Sequence, residues 1–284
     1  MSLRISPSHF LISEPVETIG RIRRFLKNQR DRTGTTNFVL GMSGGLDSSV
    51  TAALCAQAIG GKHVIGVHMP ERETRDENNL HDAKNVAEKF RIRFELVDIT
   101  DLVMAASRTL SGMGWKRSPV PYGNVKARLR ATVLYYLANK DHGLVVGTGD
   151  KSEIMLGYFT KFGDGACDIQ PLADLYKSSV RDLAGHLGLP KRVYSKPPSP
   201  GLWPGQTAEG ELGLEYEKLD TILWGLERWM SPADIARETG LSLGIVRKTR
   251  NRWISSEHKR RPPLPLKMGY RTPGADMRLP YSMG

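Results

Sequence analysis

The chain has 284 residues, which is enough for one large domain or two small ones with a sizeable core. Hydrophobic residues make up 39% and charged residues 25%, as in an ordinary soluble globular protein, and the only cysteines, Cys55 and Cys167, argue against a disulfide framework or a thiolate zinc site. The net charge of +11 indicates an anionic partner, which could be a nucleic acid, a membrane surface or a polyphosphate.

The opening stretch, MSLRISPSHFLISEPVET, contains no long apolar run. We therefore expect neither a signal peptide nor a membrane span, and we place the protein in the cytoplasm. This stretch leads into a first helix, for which we predict Ser13 as the N-cap and Pro15 in the first turn. Val16, Ile19, Ile22 and Leu26 recur at helical spacing and support this helix.

Up to residue 148, short apolar segments alternate with amphipathic ones. The apolar segments predict strands at 37–42, 63–69, 91–98 and 143–148. The amphipathic segments predict helices at 46–60, 75–90 and 124–139. This order indicates an α/β fold with a doubly wound, mostly parallel sheet and helices on both faces.

In a doubly wound sheet, ligands bind beyond the carboxyl ends of the strands. Three loops follow predicted strand ends, at 42–47, 68–70 and 148–153. We therefore expect these loops to converge on one site.

After residue 158 the pattern changes. The segment 196–213 contains so much Pro and Gly that we predict no regular structure there, and a loop of this length is typical of a mobile lid or a disordered segment. Helices packed on the sheet are predicted again at about 215–228, 232–239 and 242–257. A basic, proline-rich tail follows them.

The motif SGGLDSS, residues 43–49, lies between a predicted strand and a predicted helix. Its glycines allow the backbone to approach a ligand closely, and the free N–H groups at the helix start suit phosphate, as do the hydroxyls of Ser43, Ser48 and Ser49. Asp47 would repel phosphates unless Mg²⁺ lay between them, so the motif predicts a metal–phosphate site. A tight structural turn is the alternative, but the position directly after the first buried strand favours phosphate binding.

The motif has the form of the pyrophosphate loop (PP-loop) of the N-type ATP pyrophosphatases, which split ATP into AMP and pyrophosphate. Further candidates lie in GTGDKSEIMLGYFTKFGDGACDIQPLADLYKS, residues 147–178. Glu153 could complete a Mg²⁺ shell with Asp47, and Lys161 and Lys177 could hold anionic substrates. Solvated surface lysines are the plain alternative, and the clustering of these lysines with GDG and aromatic residues argues against it.

With these motifs in this order, the chain resembles the NAD synthetases of the short form from about residue 14 to about residue 262. Members of this family use free ammonia and carry no glutaminase domain. The resemblance implies an adenine nucleotide alpha hydrolase-like fold, with a single domain over residues 1–265 and an extension of unknown role over residues 266–284. It also implies a homodimer that uses ATP, deamido-NAD and ammonia with Mg²⁺ as cofactor, and it leaves open whether a separate glutaminase partner can supply the ammonia.

The resemblance also implies the site residues, motif by motif. ATP would contact Gly41, Met42, Ser43, Gly44, Gly45, Leu46, Asp47, Ser48, Thr148, Lys177 and Ser199. Deamido-NAD would contact Arg128, Lys161, Asp168, His258 and Lys259. The metal ligands would be Asp47 and Glu153, and the catalytic residues would be Asp47, Lys177 and Asp168. The chain departs from the family at His68, which stands before Met-Pro where many bacterial members carry an arginine.

The implied reaction has two steps. The nicotinate carboxylate of deamido-NAD attacks the α-phosphorus of ATP, which forms an adenylylated dinucleotide and releases pyrophosphate. Ammonia then attacks the activated carbonyl and releases AMP and NAD.

Two alternative functions remain open besides NAD synthesis. The PP-loop is shared with other ATP pyrophosphatases, including tRNA-modifying enzymes. The segment 231–253 has a helix-turn-helix pattern, in which the phosphate-contacting residues would be Arg247, Lys248, Arg250 and Arg252. Because its second helix runs directly into the family's His-Lys pair, DNA binding is a remote alternative and we do not expect a nucleic-acid partner.

Overall fold

The structure is a computed structural model that describes residues 5–113, 119–273 and 276. The first four residues and most of the expected extension from residue 274 onward lie outside these ranges. No helix among the described residues is long and apolar enough to span a lipid bilayer.

Four short strands form one parallel sheet in the order β3-β2-β1-β4. The strands are β1 (Asn37–Gly41), β2 (Val64–His68), β3 (Arg93–Leu96) and β4 (Gly143–Val145). In the central register, Val39 of β1 pairs with Ile65 of β2 on one side and with Val145 of β4 on the other. Because the strands are parallel, their carboxyl ends meet at one edge of the sheet.

Helices follow and precede the strands along the whole chain. They are α1 (Pro15–Thr33), α2 (Leu46–Ile59), α3 (Glu77–Lys89), α4 (Thr100–Leu110), α5 (Pro119–Lys140), α6 (Lys151–Leu156), α7 (Lys177–His186), α8 (Lys191–Tyr194), α9 (Ala208–Leu212), α10 (Tyr216–Glu227), α11 (Pro232–Thr239), α12 (Leu243–Ser255) and α13 (Glu257–Arg260).

Helices cover both faces of the sheet. Phe38 and Leu40 are fully buried in a core shared with α1, α2, α3 and α7. Val39, between them, is buried in a second core with residues of α4 and α5. Successive side chains of a strand point to opposite faces, so β1 is apolar on both of them. The predicted doubly wound α/β fold is confirmed.

The C-terminal helices build a further core beside the carboxyl edge of the sheet. Leu223 of α10, Ile235 of α11 and Val246 of α12 are fully buried there, together with Leu156 of α6. Because α6 follows β4 closely, this core attaches the C-terminal helices to the edge at which ligands bind.

Some local predictions were wrong. Glu14, and not Ser13, is the N-cap residue of α1, without a side-chain cap hydrogen bond. The segment 196–213 is not wholly irregular, because Thr207 N-caps α9 inside it by accepting from Gly210 N. The helix predicted at 124–139 begins earlier, at Pro119, which provides a suitable first-turn residue.

Candidate functional site

A cavity of about 1020 Å³ lies at the carboxyl edge of the sheet. The loops after β1, β2 and β4 all line it, through residues such as Ser43, Met69 and Thr148. The predicted convergence of the three loops is therefore confirmed. Ligand pockets typically measure about 300–1,000 Å³, so this cavity is large enough for a nucleotide.

The loop between β1 and α2 presents an unblocked helix N-terminus. Gly45 is the N-cap of α2 and provides no side-chain hydrogen bond there, so the first-turn N–H groups keep their capacity to donate to an anion. The hydroxyls of Ser43 and Ser48 lie 3.0 Å apart at this loop, and both residues line the cavity. Ser49 is buried and donates to Gly45 O at 2.7 Å, so its hydroxyl holds the loop rather than a ligand.

Gly44 brings this loop against α3. Its φ of +79° lies in the region that L side chains rarely adopt, and a Cβ built on it would lie 2.2 Å from the backbone oxygen of Asn79. Only glycine allows both this conformation and this close approach.

Three carboxylates surround one lysine beside the SGGLDSS segment, residues 43–49, which we call the phosphate loop after its predicted ligand. Lys177 Nζ lies 2.8 Å from Asp47 Oδ2, 2.7 Å from Asp150 Oδ2 and 2.9 Å from Glu153 Oε1. Lys177 and Asp150 are fully buried, whereas Asp47 and Glu153 keep about a fifth of their side chains exposed and line the cavity. We call Asp47, Asp150 and Glu153 the carboxylate cluster.

Burial and mutual contact shift the pKa values of this cluster. Burial raises the pKa of Asp150 to about 6, with Lys177 opposing the shift and Asp47 adding to it. Burial and the neighbouring Asp150 raise the pKa of Glu153 well above its usual value. Burial disfavours the charged form of Lys177, but the three carboxylates outweigh it and raise the lysine pKa. Three carboxylates therefore surround one ammonium, and the raised pKa values of Asp150 and Glu153 reflect their burial and mutual repulsion.

Asp150 was missed by the sequence predictions. It is the N-cap of α6 and accepts from Glu153 N at 2.9 Å, while the Glu153 side chain accepts from Asp150 N, which completes a capping box. The spacing of an Asp three residues before a Glu is a known signal for this motif and would have indicated both α6 and the third carboxylate.

The segment 196–213 is fastened to the phosphate loop. Lys196 Nζ donates to Asn79 Oδ1 at 2.9 Å and contacts Gly44 O at 3.4 Å, and Lys196 also pairs with the buried Asp82. Ser199 lines the cavity, and its hydroxyl donates to Gln206 O at 2.6 Å. The hydroxyl that was predicted to contact ATP therefore closes its own loop in this structure.

A second set of contacts, the Glu211 clasp, joins this segment to the chain after α6. Glu211 accepts from Gln206 Nε2 at 3.0 Å and from Tyr158 OH at 2.8 Å. Gln206 in turn accepts from Leu202 N at 2.9 Å. Because Gln206, Glu211 and Tyr158 all line the cavity, the clasp closes one of its walls.

Three cations of α12 and α13 cap the C-terminal end of α6. They are Arg252, Lys259 and Arg260, and they donate to the carbonyls of Ile154, Met155, Leu156, Gly157 and Phe159 at 2.8–3.1 Å. A helix C-terminus carries partial negative charge, so these cations stabilise it and fix α6. All three cations also line the cavity.

Two basic side chains line the cavity near β2. His68 is buried, and its Nδ1 lies 2.7 Å from Met42 O, so this nitrogen carries the proton and donates. Burial lowers the pKa of His68. Arg130 of α5, which the sequence predictions missed, donates to Met69 O at 3.2 Å, and burial lowers its pKa.

Comparison with known proteins places the chain in a family. The family model described as NAD synthase matches residues 18–263. The chain belongs to the NAD synthase family. Among curated relatives, the NH(3)-dependent NAD(+) synthetase of Hyperthermus butylicus is 44% identical over 86% of this chain and 88% of the relative, and that of Methanocaldococcus jannaschii is 43% identical over 88% and 96%.

Solved structures give the same fold. The NMN synthetase from Francisella tularensis superposes with a TM-score of 0.79 and 32% identity, covering 90% of this chain and all of that one. The NH3-dependent NAD synthetase from Campylobacter jejuni, solved with a nitrate ion, superposes with a TM-score of 0.76 and 26% identity, and the match covers 90% of this chain and all of that one.

The residues that the NAD synthase resemblance implies fall into two groups. Those that line the cavity are Gly41, Met42, Ser43, Gly45, Leu46, Asp47, Ser48, Thr148, Glu153, Ser199 and Lys259. Those that do not line it are Gly44, Arg128, Lys161, Asp168, Lys177 and His258. Gly44 and Lys177 nevertheless lie directly against the first group, through the loop and the carboxylate cluster.

The remaining four residues lie outside the cavity wall. Arg128 donates to Lys161 O at 3.3 Å, and Lys161 Nζ donates to His258 O at 2.5 Å, so these three form a continuous contact, with Arg128 and His258 exposed. Asp168 accepts from Val145 N at 2.7 Å and is thereby held at the edge of β4.

The helix-turn-helix pattern is present as α11 and α12, joined through Gly240 in the left-handed conformation. Val246 and Thr249 are buried, and three of the four predicted phosphate-contacting residues, Arg247, Lys248 and Arg250, are exposed. The fourth, Arg252, faces inward and donates to Leu156 O, so α12 contributes directly to the cavity.

Proposed function

We propose that the protein is an ammonia-dependent NAD synthetase, a ligase that converts deamido-NAD, ATP and ammonia into NAD, AMP and pyrophosphate. The observation that carries the proposal is the phosphate loop with its carboxylate cluster at one cavity, in a chain of the NAD synthase family. The curated relatives at 39–44% identity are named for this activity.

The carboxylate cluster fits Mg²⁺. Asp47 Oδ1 is buried without a hydrogen-bond partner, Asp150 Oδ2 is in contact with Lys177 Nζ, and one oxygen from each of the three carboxylates lies within 4.8 Å of the other two. Such hard oxygen ligands are the donor set that Mg²⁺ prefers. Asp47 and Glu153 would hold the ion, with Asp150 as the third ligand. When bound, Mg²⁺ would supply positive charge that offsets the charge of the leaving pyrophosphate.

The phosphate loop supplies the other contacts to ATP. Gly45, Ser43, Ser48 and the first-turn N–H groups of α2 would donate to phosphate oxygens, and Thr148 would contact the nucleotide from the loop after β4. Lys177 would hold the carboxylates in place and offset charge on the departing pyrophosphate. Catalysis then rests on positioning and charge stabilisation, without a covalent enzyme intermediate.

Deamido-NAD would extend from the cavity along the contact formed by Arg128, Lys161 and His258, with Lys259 at the cavity wall. Arg128 and His258 are exposed, so a second copy of the chain could cover the dinucleotide there, in the homodimer that the resemblance implies. Asp168 would contact the dinucleotide or the incoming ammonium.

The adenylylated intermediate must be kept from water, because hydrolysis would waste ATP. The segment 196–213, fastened by Lys196 and by the Glu211 clasp, is suited to close the cavity during the reaction. Glutamine would serve only through a separate glutaminase partner.

A second candidate for the acceptor substrate is supported by one of the solved structures. The solved NMN synthetase at 32% identity favours a mononucleotide, nicotinate mononucleotide, as an alternative acceptor in the same cavity. Product analysis separates the two: the purified protein is supplied with ATP, Mg²⁺ and ammonium, and with deamido-NAD or nicotinate mononucleotide. We expect NAD at a higher kcat/KM than NMN, and a preference for the mononucleotide would reassign the substrate.

A further inference from the structure

Asp220 of α10 is fully buried, and its two carboxylate oxygens accept hydrogen bonds from two different helices. Oδ1 accepts from Ser152 Oγ of α6 at 2.5 Å. Oδ2 accepts from Ser178 N at 2.9 Å and from Ser178 Oγ at 2.7 Å, both at the start of α7. One carboxylate therefore ties the N-terminal ends of α6 and α7 together.

The contact reaches the backbone of the central lysine. Ser152 Oγ, which donates to Asp220, also accepts from Lys177 N at 3.0 Å. Ser152 lies between Asp150 and Glu153 in the chain, and Ser178 directly follows Lys177. The two serines that Asp220 binds are therefore immediate chain neighbours of Lys177 and of residues in the carboxylate cluster.

Burying a carboxylate lowers the free energy of unfolding unless hydrogen bonds satisfy its oxygens. The three hydrogen bonds on Asp220 and the positive ends of two helices offset this cost, and α10 otherwise contributes mainly apolar side chains to the core. All three donors belong to Ser152 and Ser178, which stand beside the carboxylate cluster and Lys177 in the chain, so the position of the charge points to a role in placing α6 against α7.

We propose that Asp220 is a positioning residue for the adenylylation step. It holds Lys177 of α7 in register with Asp150 and Glu153 of α6, so that the cluster keeps the spacing that Mg²⁺ and the phosphates require. This inference rests on the proposed function. Asp220 touches no substrate and acts through Ser152 and Ser178.

The first test is Asp220→Asn in the full chain. Asparagine keeps the shape, but its amide nitrogen is a donor and must face either Ser152 Oγ or the Ser178 N–H, so one helix loses its acceptor. We expect kcat for pyrophosphate release to fall at least about tenfold and the Mg²⁺ concentration for half-maximal rate to rise, with an unchanged fold by circular dichroism. The matched control is Thr221→Val on the same helix, whose hydroxyl only donates to Lys218 O, and which should leave both values within about twofold.

A double-mutant cycle separates positioning from general destabilisation. If Asp220 acts through Ser152, then Ser152→Ala lowers the rate as well, and Asp220→Asn costs less in the Ser152→Ala background than in the wild type. Additive losses, or an unchanged Mg²⁺ midpoint in Asp220→Asn, overturn the inference. If Asp220→Asn does not fold, Ser178→Ala must raise the Mg²⁺ midpoint, and an unchanged midpoint there overturns it.

Failure of this inference is distinguishable from failure of the proposed function. Thermal stabilisation by Mg²⁺ and ATP alone is measured for the wild type and Asp220→Asn. A wild type that makes no NAD refutes the proposed function, whereas loss of this stabilisation in the variant alone still supports the positioning role.

Discussion

Asp47 is the residue on which the proposed chemistry depends most. It belongs to the first turn of α2, lines the cavity and lies 2.8 Å from Lys177 Nζ. Asp47→Asn keeps the size but removes a charge from the carboxylate cluster, so we expect pyrophosphate release to fall by at least about 100-fold, as for other active-site charge-stabilising groups. Asp31→Asn, at an exposed ion pair of α1, is the control and should change little. Wild-type turnover with normal Mg²⁺ dependence in Asp47→Asn would contradict the assignment.

Gly44 gives a stability prediction with a matched control. Gly44→Ala would place a Cβ 2.2 Å from Asn79 O at a φ of +79°, whereas Gly34→Ala meets nothing within 4 Å at a φ of +66°. Gly34→Ala should lower the free energy of unfolding by about 1 kcal/mol, the cost of the left-handed backbone alone. Gly44→Ala should lower it by more and raise KM for ATP. Urea unfolding of both variants checks this, and equal losses would show that the contact with α3 contributes nothing.

His68 predicts a pH dependence of stability. Burial lowers the pKa of the folded His68 below its ordinary value of 6.5. Between these two pKa values the unfolded chain binds more protons than the folded chain. The contribution of neutral His68 to the free energy of unfolding is therefore fully present above about pH 6.5, and it is lost as the pH falls from there toward the folded pKa. His68→Asn keeps a donor toward Met42 O without titrating, and its melting temperature should fall less than that of the wild type between pH 7.5 and 5. His186→Gln, on the surface, should follow the wild type; if His68→Asn does too, His68 is not the group responsible.

At the scale of single residues, the sequence predicted what lies in one local motif. SGGLDSS indicated the phosphate loop, and the cavity contains Ser43, Asp47 and Ser48. Asp150 was missed because its segment was not recognised as a helix start. The close contact of Lys177 with Asp47 could not be predicted, since the two residues are 130 positions apart in the chain and meet only through packing of α7 on α2.

At the scale of elements, α6 is short but held at both ends. Its N-terminal end carries Asp150 and Glu153 and is tied to α10 through Ser152, and its C-terminal end is capped by Arg252, Lys259 and Arg260. A helix of one and a half turns is unstable alone, so these contacts determine where its carboxylates lie.

The Glu211 clasp gives a prediction for the loop over the cavity. Tyr158→Phe removes the 2.8 Å hydrogen bond to Glu211 Oε2 and leaves the ring in place. A looser wall should admit water, so we expect more AMP than NAD among the products, against a ratio near one for the wild type. Tyr136→Phe, at a side chain 65% exposed on α5, is the control. An unchanged AMP-to-NAD ratio in Tyr158→Phe would show that the Glu211 clasp does not exclude water from the cavity.

Helices with clear start and end signals were predicted well, whereas α4 and α7, of 11 and 10 residues, and the shorter helices were not predicted. α11 was predicted at its observed bounds, because Ser231 with Pro232 marks its start and Gly240 its end. α6, α8 and α9 have four to six residues each, too few for a hydrophobic period to appear. Tertiary contacts, such as the capping cations on α6, decide their positions.

At the scale of the whole molecule, the family match ends at residue 263, and the described residues 264–273 are exposed except for Thr272. Leu264, Leu266, Met268 and Tyr270 are 79–90% exposed there. A chain truncated after Pro265 should therefore keep its melting temperature within about 2 °C, since few buried contacts are lost, and its NAD-forming rate within about twofold. Calorimetry and the product assay check this, and unfolding of the truncated chain would contradict the expected domain boundary.

The net charge of +11 is also a property of the whole molecule. The proposed reaction brings two polyanions, ATP and a dinucleotide, to one cavity lined by cations such as Arg130, Arg252 and Lys259. The basic composition is thereby explained without a nucleic-acid partner.

The most direct test of the account is chromatographic product analysis with ATP, Mg²⁺ and deamido-NAD, and with ammonium, glutamine or no nitrogen source. The account predicts NAD and AMP in a one-to-one ratio with ammonium and hardly any NAD with glutamine. AMP without NAD would keep the ATP pyrophosphatase site but require another acceptor, such as a tRNA base. No consumption of ATP in any mixture would contradict the central claim.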